Sequence, residues 1–248
     1  MPMNFQELRK KLIAETKKKI KDSVSEDNLI VQAVNCIDEA DRNANTLAKR
    51  LREWYSFYCP EFSGSIASHQ KFVELIQKKT KNELLKEVNI KPEESMGADL
   101  KKEDVNAIFD LAKSINNLYN LKESQAKYLE NLMKNYCPNL TAVAGSLIGA
   151  KLLAITGSLK KISMMPSSTI QLLGAEKALF RHLTTGARSP KYGILHEHAL
   201  ISQARKSEHG KIARLLADKI AIATKVDFFK GNFVGDKLIQ EIKRRLEK

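Results

Sequence analysis

The sequence predicts an all-α fold, in which a long antiparallel coiled-coil arm is followed by a compact helical domain. Three observations carry that expectation. Apolar residues recur on alternating steps of three and four over long stretches, the repeat of a helix seam. Pro60, Pro138 and Gly157 stand where such stretches end. No stretch alternates as a half-buried strand would. With 43% apolar residues in 248, the chain has material for a packed core.

The elements follow in order. Residues 5–22 read as an amphipathic helix, apolar at Phe5, Leu8, Leu12, Ile13 and Ile20, with a solvated lysine-rich face. Ser25 is a candidate N-cap for the next helix. There Ile30, Val34, Ile37, Ala44, Ala48, Leu51 and Tyr55 make a heptad seam, interrupted where Asp41 occupies a seam position. Asp41 either fixes the register or lies wet at the seam's edge. The run from Arg52 to Pro60 holds Trp54, Tyr55, Phe57 and Tyr58, read as a packed corner because few cations interleave with the rings. Residues 66–88 read as one helix, followed by a polar loop with Pro92 and Gly97 as breakers. A helix over 102–115 and another over 117–136 come next, the second with Leu118, Leu121, Tyr128 and Leu132 on one seam that lies back along the first long helix.

Cys137-Pro-Asn-Leu-Thr141 is the expected domain boundary, giving a coiled-coil domain over 1–137, with helical elaboration at its far end, and a second domain over 138–248. A helix over 142–156 is rich in small residues, with Gly145 and Gly149 spaced for close helix contact. Ser167, Ser168 or Thr169 can cap a helix starting near Ile170. Helices are also expected over 200–204, 210–226 and 236–246, with a loop over 227–235 that carries three phenylalanines.

Charge sorts the two halves. The net charge is +13, from 42 Lys/Arg against 29 Asp/Glu. Residues 141–248 hold 19 of the cations and 8 of the anions, a balance of +11, so the excess belongs to the second domain and points to phosphates. Cys36, Cys59 and Cys137 form no C-x-x-C pair, which favours a reducing compartment over a disulfide framework or a zinc site. The start is charged rather than signal-like, and the apolar run from Leu140 to Leu159 is interrupted by Lys151, so no membrane role is expected.

The most informative stretch runs from Met164 to His198. Gly174 permits a break or a close approach. In the helix after it, Glu176, Phe180 and Leu183 share one face while Lys177 and Arg181 share another, a two-pronged edge suited to phosphates. Arg188, Lys191 and His196 follow on the next turn, and a histidine can stack on an unpaired base. His196 and His198 are two apart, whereas an H-E-x-x-H zinc site needs four. Glycine-rich phosphate loops and nucleophile elbows are absent, so no enzyme, metal or cofactor is expected.

Leu172-Leu-Gly-Ala-Glu-Lys-Ala-Leu-Phe-Arg-His182 and Gly186-Ala-Arg-Ser-Pro-Lys-Tyr-Gly-Ile-Leu-His-Glu-His198 closely resemble the Nop domain. Met165-Pro-Ser-Ser-Thr-Ile170 and the Pro138–Lys151 segment match too, and Arg50–Tyr55 with Cys59–Ser63 resemble that family's coiled-coil arm. The whole chain is similar to the archaeal Nop scaffold proteins of box C/D guide ribonucleoproteins. The resemblance implies a non-enzymatic scaffold that binds a composite surface of kink-turn guide RNA and the small ribosomal-type protein already on it. It implies self-association through the coiled coil and support of guided RNA 2′-O-methylation by fibrillarin. Carried onto this chain, it makes Gly174, Glu176, Ala178, Leu179, Phe180 and His182 the side facing the kink-turn protein. Lys160, Lys161, Lys177, Arg181, Arg188, Lys191 and His196 become the RNA side. Longer relatives carry an N-terminal α/β domain that docks the methyltransferase, and none precedes the coiled coil in these residues. The expected setting is an archaeal cytoplasm, or a nucleolus for a eukaryotic chain. A helical adaptor whose basic surface meets an acidic protein is the alternative.

Overall fold

The computed structural model describes residues 5–246, and every regular element among them is helical. The helices are α1 (Phe5–Asp22), α2 (Glu26–Tyr58), α3 (Pro60–Ser63), α4 (His69–Lys78), α5 (Lys81–Glu87), α6 (Lys102–Tyr136) and α7 (Pro138–Ala144). They continue with α8 (Ser146–Thr156), α9 (Leu159–Ser163), α10 (Ser167–Leu172), α11 (Glu176–Thr185), α12 (Ala199–Ser202), α13 (His209–Phe228) and α14 (Gly235–Leu246). Packing divides the chain into two compact units, Asn35–Lys127 in one and Met1–Val34 with Tyr128–Lys248 in the other. The division falls inside the two longest helices, whereas the sequence places its boundary at Cys137.

In the Asn35–Lys127 unit, α2 and α6 run antiparallel. Tyr119 Oη donates to Asn45 Oδ1 (3.3 Å), and one helical step further along α6 Lys122 pairs with Asp41. Ala44, Ala48 and Ala112 are fully buried between them, where their size permits close approach. The α2 seam read from the sequence is buried throughout. The α6 seam differs from expectation. It runs Ile108, Ala112, Ile115, Tyr119, then Leu129 and Met133, while Leu121 and Tyr128 are exposed. Lys122 sits in register on the true seam and faces Asp41, and this matched polar pair hides the repeat. Asp41 is half-exposed and paired, so it lies at the edge yet links the two helices. Residues 102–136 form one helix rather than two, because nothing stronger than Asn116-Asn117 interrupts them.

The expected helix over 66–88 is two, α4 and α5, separated where the Thr80 amide donates to Glu83 Oε2 (2.7 Å) and starts a new first turn. Tyr55, Phe62 and Phe72 pack edge-on and stacked at the arm's corner, with Trp54 and Phe57 turned outward. Arg52 holds the corner. It donates to His69 Nδ1 (2.9 Å) and the Ser63 carbonyl (2.7 Å), and its guanidinium lies 4.4 Å over Phe72.

In the other unit α13 is the central helix. Ile212, Ala213, Leu216, Ala217, Ile220, Ala223 and Thr224 are buried on it, against α7, α9, α10 and α14. The helix expected over 142–156 is broken. Gly145 adopts φ +80° between α7 and α8, a conformation open to glycine at little cost. Gly149 fits the close-contact reading, since a Cβ there would lie 2.9 Å from Met133 Cε. Gly157 ends α8 in the left-handed conformation. Among the described residues no single helix is long and apolar enough to cross a membrane.

Two buried carboxylates start helices. Asp227 Oδ1 accepts from the Asn139 amide (3.1 Å) and Asn139 Nδ2 (2.7 Å), and Oδ2 accepts from the Leu140 amide (2.8 Å). Asn139 Oδ1 accepts from Val234 N (2.7 Å), which joins α7 to the segment entering α14. Asp27 Oδ1 accepts from Leu159 N (3.1 Å) at the start of α9. The α1 helix forms as expected, but its apolar residues Phe5, Leu12, Ile13 and Ile20 are exposed.

His198 Nδ1 accepts from Leu200 N (3.2 Å) and caps α12. Burial holds its imidazole below the ordinary 6.5, opposed by a hydrogen bond to the Val143 backbone. The unfolded chain therefore takes up this proton first as the pH falls. Stability is full above about pH 6.5 and declines toward the depressed folded value. His198→Asn, which can keep the cap, should shallow the fall of the melting temperature between about pH 7 and 5. An unchanged slope contradicts this role. His69, lowered by burial and then by Arg52, keeps part of the slope in the variant.

Candidate nucleic-acid interface

Residues 174–193 form an excursion from the α13 core, closed at its base by backbone. Gly193 N donates to Gln171 O (2.9 Å), Ile194 N to Leu173 O (2.8 Å), and Gln171 Nε2 to Lys191 O (2.6 Å). The two backbones touch because residue 193 has no side chain. A Cβ there would stand 1.9 Å from Leu173 O and 2.8 Å from Leu172 O. Rotamer changes cannot relieve a clash with backbone, so Gly193→Ala should cost about 3 kcal/mol. Urea unfolding measures this, and a loss under about 1 kcal/mol contradicts the geometry.

Gly174, at φ +85°, turns the chain out of α10. Glu176 Oε1 then accepts from the Gly174 amide (2.8 Å), which uses this side chain to start α11. Gly186, at φ +68°, ends the helix, and His182 Nδ1 bonds the Ala187 carbonyl just beyond it. The expected capping near Ile170 differs: α10 starts at Ser167 behind Pro166, with no side-chain cap.

No residue of α11 is buried. Phe180 is 68% exposed and Leu183 73%, one turn apart on one face. Ala178 is also exposed and Leu179 half-buried. Lys177 and Arg181 stand one turn apart on the adjoining face, the i, i+4 relation expected from the sequence. Arg188 and Lys191 lie on the returning segment, where the Lys191 methylenes sit beside Gly210 at the start of α13. His196 is exposed on a 3-10 turn over Ile194–Glu197, its ring parallel to Tyr192 at 6.3 Å. Tyr192 Oη in turn meets His209 Nδ1 (3.3 Å). Lys160 and Lys161 are exposed on α9, a separate element.

From Gly157 to Gly193 six Lys/Arg face one carboxylate, Glu176, which the Gly174 amide already occupies. Among the described residues none of those six cations forms a salt bridge. Lys177 and Arg181, exposed and without salt bridges beside the exposed apolar face of the same helix, can neutralise phosphates while Phe180 and Leu183 cover a protein surface. Among the described residues no group of three or more His, Cys, Asp or Glu side chains is placed to hold a metal. Sequence reasoning left Leu183 out of the candidate residues, although its i+3 relation to Phe180 puts it on the same exposed face. It also missed Gln171 and Gly193, whose role depends on a contact across 20 residues.

Residues 36–248 match the Nop family, described as "snoRNA binding domain, fibrillarin". The chain belongs to the Nop family. It is 40% identical over 263 aligned residues to an uncharacterized NOP5 family protein of Methanocaldococcus jannaschii, covering 98% of this chain and 63% of that protein. Nucleolar protein 58 of Schizosaccharomyces pombe is 40% identical, with 81% and 42% covered. Nucleolar protein 56 of the same yeast is 35% identical, with 89% and 49% covered. The chain thus spans between two fifths and two thirds of these relatives. The crystal structure of a fibrillarin/Nop5p complex contains a chain that matches with a TM-score of 0.58 at 25% identity, covering all of this chain and 85% of that one. The all-α reading stands, since every regular element among the described residues is helical.

Proposed function

We propose that this chain is an RNA-binding scaffold of a box C/D guide ribonucleoprotein, and that it reads a composite surface of kink-turn RNA and the small protein bound to it. The observation that carries the reading is α11, a helix with no buried residue that offers an apolar face and a cationic face side by side. Phe180 and Leu183, with Ala178 and Leu179, meet the protein. Lys177 and Arg181, with Arg188, Lys191 and His196, meet phosphates and bases. Lys160 and Lys161 extend the basic surface along α9. Gly174, Glu176 and His182 shape α11 from within, as their internal hydrogen bonds support.

Residues 138–248 are then the RNA- and protein-binding domain. Residues 1–137 form the coiled-coil arm through which two copies associate. Trp54 and Phe57, exposed on α2, are available for that contact. Support of 2′-O-methylation by fibrillarin belongs to the assembled particle. Three free cysteines suit a reducing compartment, an archaeal cytoplasm or a nucleolus.

Phe180→Ala separates this reading from a plain basic patch. It should weaken the complex with the protein-loaded kink-turn at least tenfold, since a truncated interface aromatic costs about 2 kcal/mol or more. Binding to bare RNA should stay within about twofold. Equal loss in both measurements contradicts the division of faces.

A further inference from the structure

The loop at the far end of α13 carries a second cluster that the reading above leaves unused. Phe229 is 75% exposed and Phe233 53%, and Ile222 lies two turns before Phe229 on the same helix face. Lys225, Lys230 and Lys237 are exposed around them, against one nearby exposed carboxylate, Asp236. Among the described residues none of the three lysines forms a salt bridge.

The loop is built rather than loose. Phe229 N donates to Lys225 O (3.0 Å), Lys230 N to Asp227 O (3.2 Å) and Gly231 N to Val226 O (2.8 Å), while Asn139 Oδ1 holds Val234 N at its other end. Lys230 closes the helix at φ +54°, in the left-handed region where glycine is the usual residue. A lysine there is less favourable than the glycine one position on, so local folding does not account for it. A fixed loop thus presents two exposed phenyl rings, Phe229 edge-on to Phe228 and Phe233 with its ring tip beside Gly235, with lysines between and beside them in sequence. Alternating aromatic faces and cations are the arrangement that stacks unpaired bases while neutralising their phosphates.

We infer that Phe229 and Phe233, with Lys225 and Lys230, form a second nucleic-acid contact that binds an unpaired single-stranded segment. The inference rests on the domain being RNA-binding but uses none of the α11 residues. The 20 residues of α13 put this loop about 30 Å along the helix from Tyr192 and His209, at 1.5 Å per residue. One RNA can therefore touch both ends of the domain, structured at α11 and single-stranded at the phenylalanine loop.

The test is fluorescence anisotropy of a labelled 12-nucleotide oligo(U) with the full chain. Phe229→Ala/Phe233→Ala should weaken binding by tenfold or more. Both residues are exposed, so circular dichroism should report an unchanged fold. Lys230→Gly should leave the fold at least as stable yet weaken binding. Lys177→Ala/Arg181→Ala should weaken oligo(U) binding less than the phenylalanine variant does. In Phe229→Trp, oligo(U) should quench the new tryptophan. Unchanged oligo(U) affinity in the phenylalanine variant, or loss only in the Lys177/Arg181 variant, overturns the inference. So does a change of oligomeric state in the phenylalanine variant, which would assign the patch to a second copy. Failure of kink-turn assembly alongside intact, phenylalanine-dependent oligo(U) binding would sink the composite-surface reading and leave this one standing.

Discussion

Replacing Asp227 by alanine should cost about 3–5 kcal/mol of stability, the range for removing one partner of a buried, charge-assisted network. That is a large share of the roughly 5–15 kcal/mol that holds a domain folded. The carboxylate is 8% exposed and accepts from the Asn139 amide, the Asn139 side chain and the Leu140 amide. Alanine leaves all three donors buried without an acceptor at the start of α7. The damage spreads through Asn139, whose other side-chain atom holds Val234 and the approach to α14. Asp227→Asn keeps one acceptor and should lose about half as much. Urea unfolding reads both. Cys137 supplies a second readout: burial, then Asp227, push its thiol up to about 12, so it should be inert to a disulfide reagent in the folded chain. Faster Cys137 reaction in the variant marks opening of this corner. A loss under about 1 kcal/mol for Asp227→Ala would show that water replaces the carboxylate and that the network is not structural.

Lys177→Ala/Arg181→Ala should lower affinity for the protein-loaded kink-turn RNA about a hundredfold, taking roughly 1.4 kcal/mol for each phosphate contact. Both side chains are exposed and unpaired, so folding should not change. Salt dependence carries the sharper signature. Each lost phosphate contact lowers the slope of log K against log salt by about 0.7 for single strands and 0.9 for duplex, so the double variant should lose about 1.5 from the slope. A shallow slope in the unsubstituted chain, left unaltered by the substitutions, favours the adaptor reading, in which an acidic protein takes the place of RNA.

Local pattern made much of this molecule legible. The heptads of α2, the stop at Gly157 and the turn at Gly174 all follow from residues within a few positions of each other. The α6 seam escaped because Lys122 is explained only by Asp41, 81 residues away. The break at Gly145 escaped because small residues on both sides suit one continuous helix as well as two. In the candidate interface, spacing placed Lys177, Arg181 and Phe180 on their faces. It could not show which side chains of the segment are engaged in hydrogen bonds within it. Glu176 and His182 are so engaged, through their bonds to Gly174 and Ala187. Gly193 was invisible for the same reason, since its need for hydrogen in place of a side chain comes from Leu173 across the closed base.

The most direct measurement of the central claim is a gel shift of box C/D kink-turn RNA by the purified chain, with and without the kink-turn-binding protein. The composite surface predicts a supershifted complex with the protein-loaded RNA at chain concentrations too low to shift the bare RNA, and loss of it in both Phe180→Ala and Lys177→Ala/Arg181→Ala. No shift in either lane, from a chain shown to be folded and helical, would contradict the account.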